Sequence, residues 1–256
     1  MAFQSHELAT QADTLRALHH AELPLVLPNA WDVPSARAVE AAGFPAVATT
    51  SGGIAAMLGY PDGEAMPADA MFAAVERIAS AVNVPVTADV EGGYGLPAAD
   101  LVDRLLAAGA VGLNLEDTDH RSHAPLVAID AQARRIAGVK AAGRAAGVDV
   151  VMNARVDVYV RQVEPTLESA LERGRAYVEA GADCVFPILV RDEEHIAGLV
   201  AALGTVNVYW RDGWPSLARL AELGVRRISF GSGIHREAVA RVAEVVGRIR
   251  SGVAGP

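Results

Sequence analysis

Short runs of β-branched and apolar residues alternate along the chain with longer, alanine-rich runs whose apolar positions recur at helical spacing. A strand covered by crossover helices reads as a nearly continuous apolar run, so this alternation predicts repeated βα units around a parallel sheet. PLVLPN near Val26 is followed by a helix from Pro34, and PAVATT, ending at Thr50, by a long loop and a helix from Pro67. VPVTADVE, ending at Glu91, precedes a helix from Pro97, and VGLNLED one from about Asp130. VDVVMNAR, ADCVFPI, VNVYW and RRISF precede helices from about Thr166, Asp192, Pro215 and Ile234, which completes eight units. AAGF, AAGA, EAGA and ELGV place a glycine between a helix and the next strand, where a left-handed residue ends a helix. Eight units in 256 residues predict an α/β chain folded as a (β/α)8 TIM barrel, in one domain spanning residues 1–256. Residues 1–22 read as an extra N-terminal helix with His19 and His20 in solvent.

Composition narrows the chemistry. With 22 Lys+Arg against 31 Asp+Glu, the chain offers no cationic platform, so nucleic acid and anionic membrane surfaces are not expected partners. No apolar run approaches the roughly 20 residues of a membrane span, and the N-terminus lacks a signal-peptide pattern, so a cytoplasmic location is expected. Cys184, the single cysteine, lies in an apolar strand and reads as a core residue. The single lysine, Lys140, reads as a solvated helix residue, and His195 as a solvated one on a polar helix face.

The active site of such a barrel lies at the C-terminal ends of its strands, so strand parity selects candidates. In VTADVE, Thr87, Asp89 and Glu91 share one face, while Val86, Ala88 and Val90 belong under the helices. Asn114 and Glu116 share parity on the next strand, and Asn153, Arg155 and Asp157 on the one after. Asp89, Glu91, Glu116 and Arg155 therefore meet at the barrel mouth. Three carboxylates so close call for a compensating cation, and hard oxygen donors suit Mg2+ or Mn2+; pairing with Arg155 is the plain structural alternative. A guanidinium fork also suits a substrate carboxylate. TTSGG, with Ser51, Gly52 and Gly53, and EGGYG leave backbone amides for an anion or a developing oxyanion. Gly231 to Gly233 occupy the place where many barrels bind phosphate, and Trp31, Trp210 and Trp214 could line the mouth. The loop Thr118 to Pro125 offers His120, Arg121 and His123 for proton transfer.

NAWDVPSA, TTSGG, ADVEGGYG, NLED and NARVD, in this order, make the chain resemble the isocitrate lyase/phosphoenolpyruvate mutase superfamily along nearly its whole length. The resemblance implies a Mg2+-dependent site with Asp89 at the metal and Glu91, Glu116 and Asp62 holding its waters. It further implies that Ser51, Gly52 and Arg155 grip an α-keto acid or its enolate, and that the chain forms a homodimer or homotetramer. The loop EDTDHRSHAPL lacks the Lys-Lys/Arg-Cys-Gly-His sequence of the lyases in that family, and no histidine stands near Pro187. The expected activity is Mg2+-dependent making or breaking of a C–C bond on a small α-keto acid, dicarboxylate or adduct. Alternatives are a non-catalytic α-keto acid binder, a P–C bond enzyme of the phosphonopyruvate type, and a barrel taking a phosphorylated metabolite at Gly231 to Gly233.

Overall fold

The computed structural model describes residues 3–122 and 124–252. Nine short strands run through it: β1 Leu25–Leu27, β2 Asn29–Ala30, β3 Val47–Thr49, β4 Val86–Asp89, β5 Gly112–Glu116, β6 Val151–Val156, β7 Cys184–Pro187, β8 Asn207–Tyr209 and β9 Arg227–Ser229. β2 to β7 pair in sequence order, all in parallel, and β1 and β8 flank β9. β1 and β2 are halves of one barrel strand interrupted at Pro28, whose nitrogen has no hydrogen to donate. A single parallel bridge between Val185 and Val206 joins β7 to the β8 side and closes the ring. The result is the expected (β/α)8 barrel, eight strands around.

The parity reading holds because the strands are two-faced. Val86, Ala88 and Val90 are buried under the helices, while the barrel interior is polar to an unusual degree. Asn153 donates to Asn114 at 2.8 Å, Arg227 donates to Asn114 at 3.3 Å, and Asn207 donates to Ser229 at 3.1 Å. Gly43, Gly109, Gly181 and Gly224 all have positive φ between a helix and the next strand, as the recurring glycine segments predict.

The helices are α1 Ser5–Leu18, α2 Val33–Ala41, α3 Ser51–Leu58, α4 Ala68–Ala79, α5 Ala98–Ala107 and α6 Ile129–Ala145, followed by α7 Val158–Arg161, α8 Leu167–Glu179, α9 Glu193–Leu203, α10 Leu217–Glu222 and α11 Gly233–Arg250. One of them replaces an expected loop. TTSGG opens α3 because Thr50 caps the Gly53 amide, the IAAML run has good helix formers, and Gly59 ends it at φ 81°. α11 carries a different signal: Val239, Val242, Val246 and Ile249 are exposed at spacings of three and four residues, and none of its residues is buried. Among the described residues no helix is long and apolar enough to cross a membrane.

Two residues expected in solvent are buried at the N-terminal end of the barrel, where α1 lies against β6. Lys140 donates to Val150 O at 2.8 Å and to Asp183 at 2.9 Å, and pairs with Asp149 at 2.8 Å. Arg16 of α1 pairs with Asp183 and Asp149 as well, so one ionic cluster fastens the helix to the barrel. Parity along a helix cannot reveal this, because the partners come from segments far apart in sequence. His19 is 1 % exposed, with Nδ1 on Leu15 O and Nε2 without a partner. Burial, helped by the Arg227 charge, lowers its pKa to about 4.

Because the unfolded chain takes up a proton near pH 6.5 and the folded one does so only near pH 4, folding is favoured fully above pH 6.5 and loses support as the pH falls through that window. The expected loss is on the order of 3 kcal/mol by pH 4. Urea titrations at pH 7.5 and pH 5 should show a smaller acid loss in His19→Gln than in the wild type; an equal loss would remove His19 from the acid response.

Candidate active site

Two cavities meet at the C-terminal ends of the strands. One, of about 420 Å3, is walled by Ser51, Asp62, Asp89, Asn114 and Arg155 on one side and by Tyr209, Arg211, Ser232 and Arg236 on the other. The second, of about 410 Å3, is lined by Glu91, Glu116, Thr118, His120 and Arg161 and shares Ser51, Asp62 and Arg155 with the first. The three shared residues form the partition between them.

Arg155 is the centre of this partition. Its Nε and Nη2 donate to the two oxygens of Asp157 at 2.7 and 2.9 Å, and its Nη1 reaches Glu116 at 2.5 Å. Three of the five guanidinium N–H groups are thus taken and two remain to face a ligand. Burial opposes its charge, but Asp157, Glu116 and Asp89 outweigh burial and hold the guanidinium above its ordinary range. Asp157, which parity places on the face of Arg155, is bonded to it but fully buried and lines neither cavity: β6 ends at Val156, and Asp157 is the first residue before α7. Asp117, which sequence reasoning passed over, holds it there by accepting from the Asp157 amide, Arg173 and Tyr177. Its only signal was its place beside Glu116.

Each carboxylate finds a different environment. Asp89 accepts from the Ser51 amide at 3.1 Å and the Ser51 hydroxyl at 2.9 Å through Oδ2, while its buried Oδ1 has no donor. Asp62 has its pKa raised by burial and by the Asp89 charge. Glu91 sits at φ 53°, a costly backbone for a residue with a Cβ. It is held there because the Gly63 and Glu64 amides donate to Oε2 and the Tyr94 hydroxyl donates to Oε1 at 2.6 Å. Burial raises its pKa. Glu116 is pushed up to about 7 by burial, and His120 Nε2 lies 2.5 Å from its Oε1. That hydrogen bond raises the His120 pKa in turn, so a carboxylate and an imidazole stand ready to share one proton.

The remaining candidates are divided. Ser51 lines both cavities, and Gly52 stands where a Cβ would come 2.7 Å from Ser232 Oγ and 2.8 Å from Asp62 Oδ2. Gly53 points elsewhere, with Thr50 Cγ2 only 2.6 Å from a Cβ placed on it; its role is close packing, because the turn has become a helix. Asn153 lies below the cavity floor, bonded to Asn114, since its strand position is two residues deeper than Arg155. Arg121 is turned outward, over Gly95 and against Glu64, and is half exposed. His123 lies outside the described residues.

Gly231 and Ser232 border the first cavity, while Trp31 packs on His235 and Trp210 on Phe230. His195 is half buried, 3.2 Å from the Tyr159 hydroxyl, rather than solvated. Cys184 is buried, with its thiol pushed up to about 12 by burial, which suits a core residue and not a nucleophile.

Among the described residues no three His, Cys, Asp or Glu side chains converge as an all-protein metal cage. The bare, buried Oδ1 of Asp89 beside Asp62 is nevertheless an oxygen donor set that fits a small, hard dication retaining most of its waters.

The family model of phosphoenolpyruvate phosphomutase matches residues 15–250. A Burkholderia cenocepacia J2315 structure, described provisionally as a phosphonomutase, is 40% identical with a TM-score of 0.87, over 94% of this chain and 99% of its own. The structure of an oxaloacetate acetylhydrolase with its product oxalate is 28% identical with a TM-score of 0.87, over 97% and 90% of the two chains. The 2-methylisocitrate lyase of Escherichia coli K12 is 32% identical over 188 residues, 70% of this chain and 62% of the lyase.

Replacing Arg155 by Met would leave Glu116 and Asp157 buried without their cation. The expected loss of stability is about 3–5 kcal/mol at pH 8. Part of it should return as the pH falls and Glu116 takes up a proton; denaturant titrations at pH 8 and pH 6 check both the loss and its sign.

Proposed function

As the chain belongs to the phosphoenolpyruvate phosphomutase family, within the isocitrate lyase/phosphoenolpyruvate mutase superfamily, we propose that it is an enzyme that makes or breaks a C–C bond beside the enolate of a small α-keto acid. The named relatives include a lyase and a hydrolase, which supports lyase-type chemistry at this barrel mouth. The observation that carries the reading is the uncapped Asp89 Oδ1, buried in the same cavity as Ser51 and Arg155.

In this proposal Asp89 would hold Mg2+ or Mn2+, with Asp62, Glu91 and Glu116 on its waters. When bound, the dication supplies positive charge where the enolate oxygen develops its negative charge. The chain's own residues do the rest. Arg155, its fork locked on Asp157, offers its two remaining N–H groups to the substrate carboxylate without first having to be ordered. The Ser51 amide and hydroxyl hold the Asp89 carboxylate in one orientation. His120, paired with Glu116, delivers or accepts the proton that the missing lyase cysteine would otherwise handle. The Gly231 to Gly233 turn serves as one wall of this cavity rather than as a separate phosphate site.

A P–C bond reaction at the same centre is the second reading, favoured by the likeness to the Burkholderia protein. The proposed setting is the cytoplasm, with a small-molecule partner and no nucleic acid or membrane. We also take the exposed valine and isoleucine stripe of α11 as the contact between copies in a homodimer or homotetramer. Light scattering on the purified chain should give a dimer or tetramer mass, and a monomer mass at micromolar concentration would remove that assignment.

Calorimetric titration of metal-stripped protein with pyruvate, oxaloacetate and α-ketoglutarate, with and without Mg2+, tests the site. Asp89→Asn should weaken Mg2+-dependent binding by about 100-fold or more; unchanged affinity would sink the metal assignment. Product analysis of the same samples, with phosphonopyruvate added to the set, separates the two bond types. His120→Ala should slow turnover by about 100-fold or more with binding largely kept. Binding without turnover of any of these would point to a non-catalytic α-keto acid binder.

A further inference from the structure

The floor of the mouth rests on a guanidinium that has no role in the proposed chemistry. Arg227, the first residue of β9, lies two residues deeper in the barrel than Ser229, which lines the cavity of Asp89 and Arg155. Arg227 is 0 % exposed. Its Nη2 donates to Asn114 Oδ1 at 3.3 Å, its Nε to Ser229 Oγ at 3.5 Å, and its Nη1 has no partner. Arg155, nearer the surface, has its charge met by Glu116 and Asp157, whereas Arg227 donates only to neutral atoms. Two titratable groups that feel its charge, His19 and Cys184, are neutral at pH 7, because burial lowers the His19 pKa to about 4 and raises that of Cys184 to about 12. The carboxylate that does act on Arg227 is Asp89, at the mouth.

A guanidinium sealed from water without a counter-ion is costly, and a core that only had to be filled would be served better by an apolar side chain. Its removal would orphan neither acceptor: Asn114 Oδ1 also accepts from Asn153 at 2.8 Å, and Ser229 Oγ from Asn207 at 3.1 Å. What the charge does reach is the cavity, because Asn114 and Ser229 both line it. With Arg227 and Asn153 donating to its oxygen from below, the Asn114 amide is fixed in one sense, and its two N–H groups are the part left for the cavity. The mouth above carries Asp62, Asp89, Glu91 and Glu116 against Arg155. That excess of negative charge repels an anionic ligand, and a cation under the floor reduces it without taking up room in the cavity.

We propose that Arg227 is a positioning residue of this site: a buried cation beneath the floor that orients the Asn114 amide toward the ligand and lets an acidic mouth hold an anion. The inference rests on the keto-acid reading of the Asp89 side and deepens it by naming what offsets the carboxylates of the mouth. It has an opposite consequence for metal. The charge that favours the anion opposes a dication at Asp89, so Arg227 sets the balance between the two.

The test uses Arg227→Met and Arg227→Gln, two uncharged side chains of different shape. Electron paramagnetic resonance reads the Mn2+ affinity of the ligand-free protein, and calorimetry at saturating Mg2+ reads the affinities for pyruvate and for oxalate, a planar dianion that imitates an enolate. Both variants should bind Mn2+ about threefold more tightly than the wild type, pyruvate about fivefold more weakly and oxalate about twentyfold more weakly, since a Coulomb interaction scales with ligand charge. Urea titration should find Arg227→Met at least as stable as the wild type. Replacing a side chain that merely fills the core would instead weaken metal and anions together. Parallel losses, unchanged affinities, or variants that do not fold overturn the proposal and leave the keto-acid reading standing. A wild type that binds neither anion overturns both.

Discussion

A buried guanidinium joins two neighbouring strands at the mouth of this barrel, and the arrangement of the site follows from how its charge is met. Arg155 leaves β6 and is gripped on one edge by Asp157 and on the other by Glu116 from β5. Taking these groups out of water is costly unless geometry and further hydrogen bonds compensate. The structure provides both: Thr118 donates to Asp157, and Asp117 accepts from the Asp157 amide while itself held by Arg173 and Tyr177. The chain of contacts runs from the cavity through the sheet to α8, so the orientation of the guanidinium is secured from behind.

That arrangement distributes charge unevenly over the mouth. Glu116 is answered by Arg155 and His120, and Glu91 by two amides and a tyrosine hydroxyl. Asp89 is left with one bare, buried oxygen on its side, while Arg211 and Arg236, both exposed, line the opposite side. Groups that the fold leaves without partners are the ones a ligand can use, because they gain on binding what the others already have. The same asymmetry explains why the carboxylates do not form a closed metal cage: most of their oxygens already have partners within the protein.

Much of this was legible in the sequence, for particular reasons. The eight units were visible because strands under helices are apolar and helices end at glycine. Asp89, Glu116 and Arg155 could be brought to one place because side chains alternate along a strand and the strands are consecutive. Where the expected turn is instead the start of a helix, position along the chain misleads: Gly53 faces a packed side chain because its turn opens α3. The burial of Lys140 and His19 was hidden for another reason: His19 is buried where α1 meets the far end of the barrel, and Lys140 where Asp149 and Asp183 arrive beside it just before β6 and β7.

The sequence by itself determined the order of βα units, the family to which the chain belongs, and the carboxylates and arginine at the strand ends, because these rest on periodicity and on motifs contiguous in the chain. Only the tertiary structure decided which of those carboxylates are already satisfied and that Arg211 and Arg236 stand across the mouth from Asp89. Closing the ring brings β4 opposite β8, residues more than a hundred positions apart, and no local pattern records what will stand on the other side of a cavity.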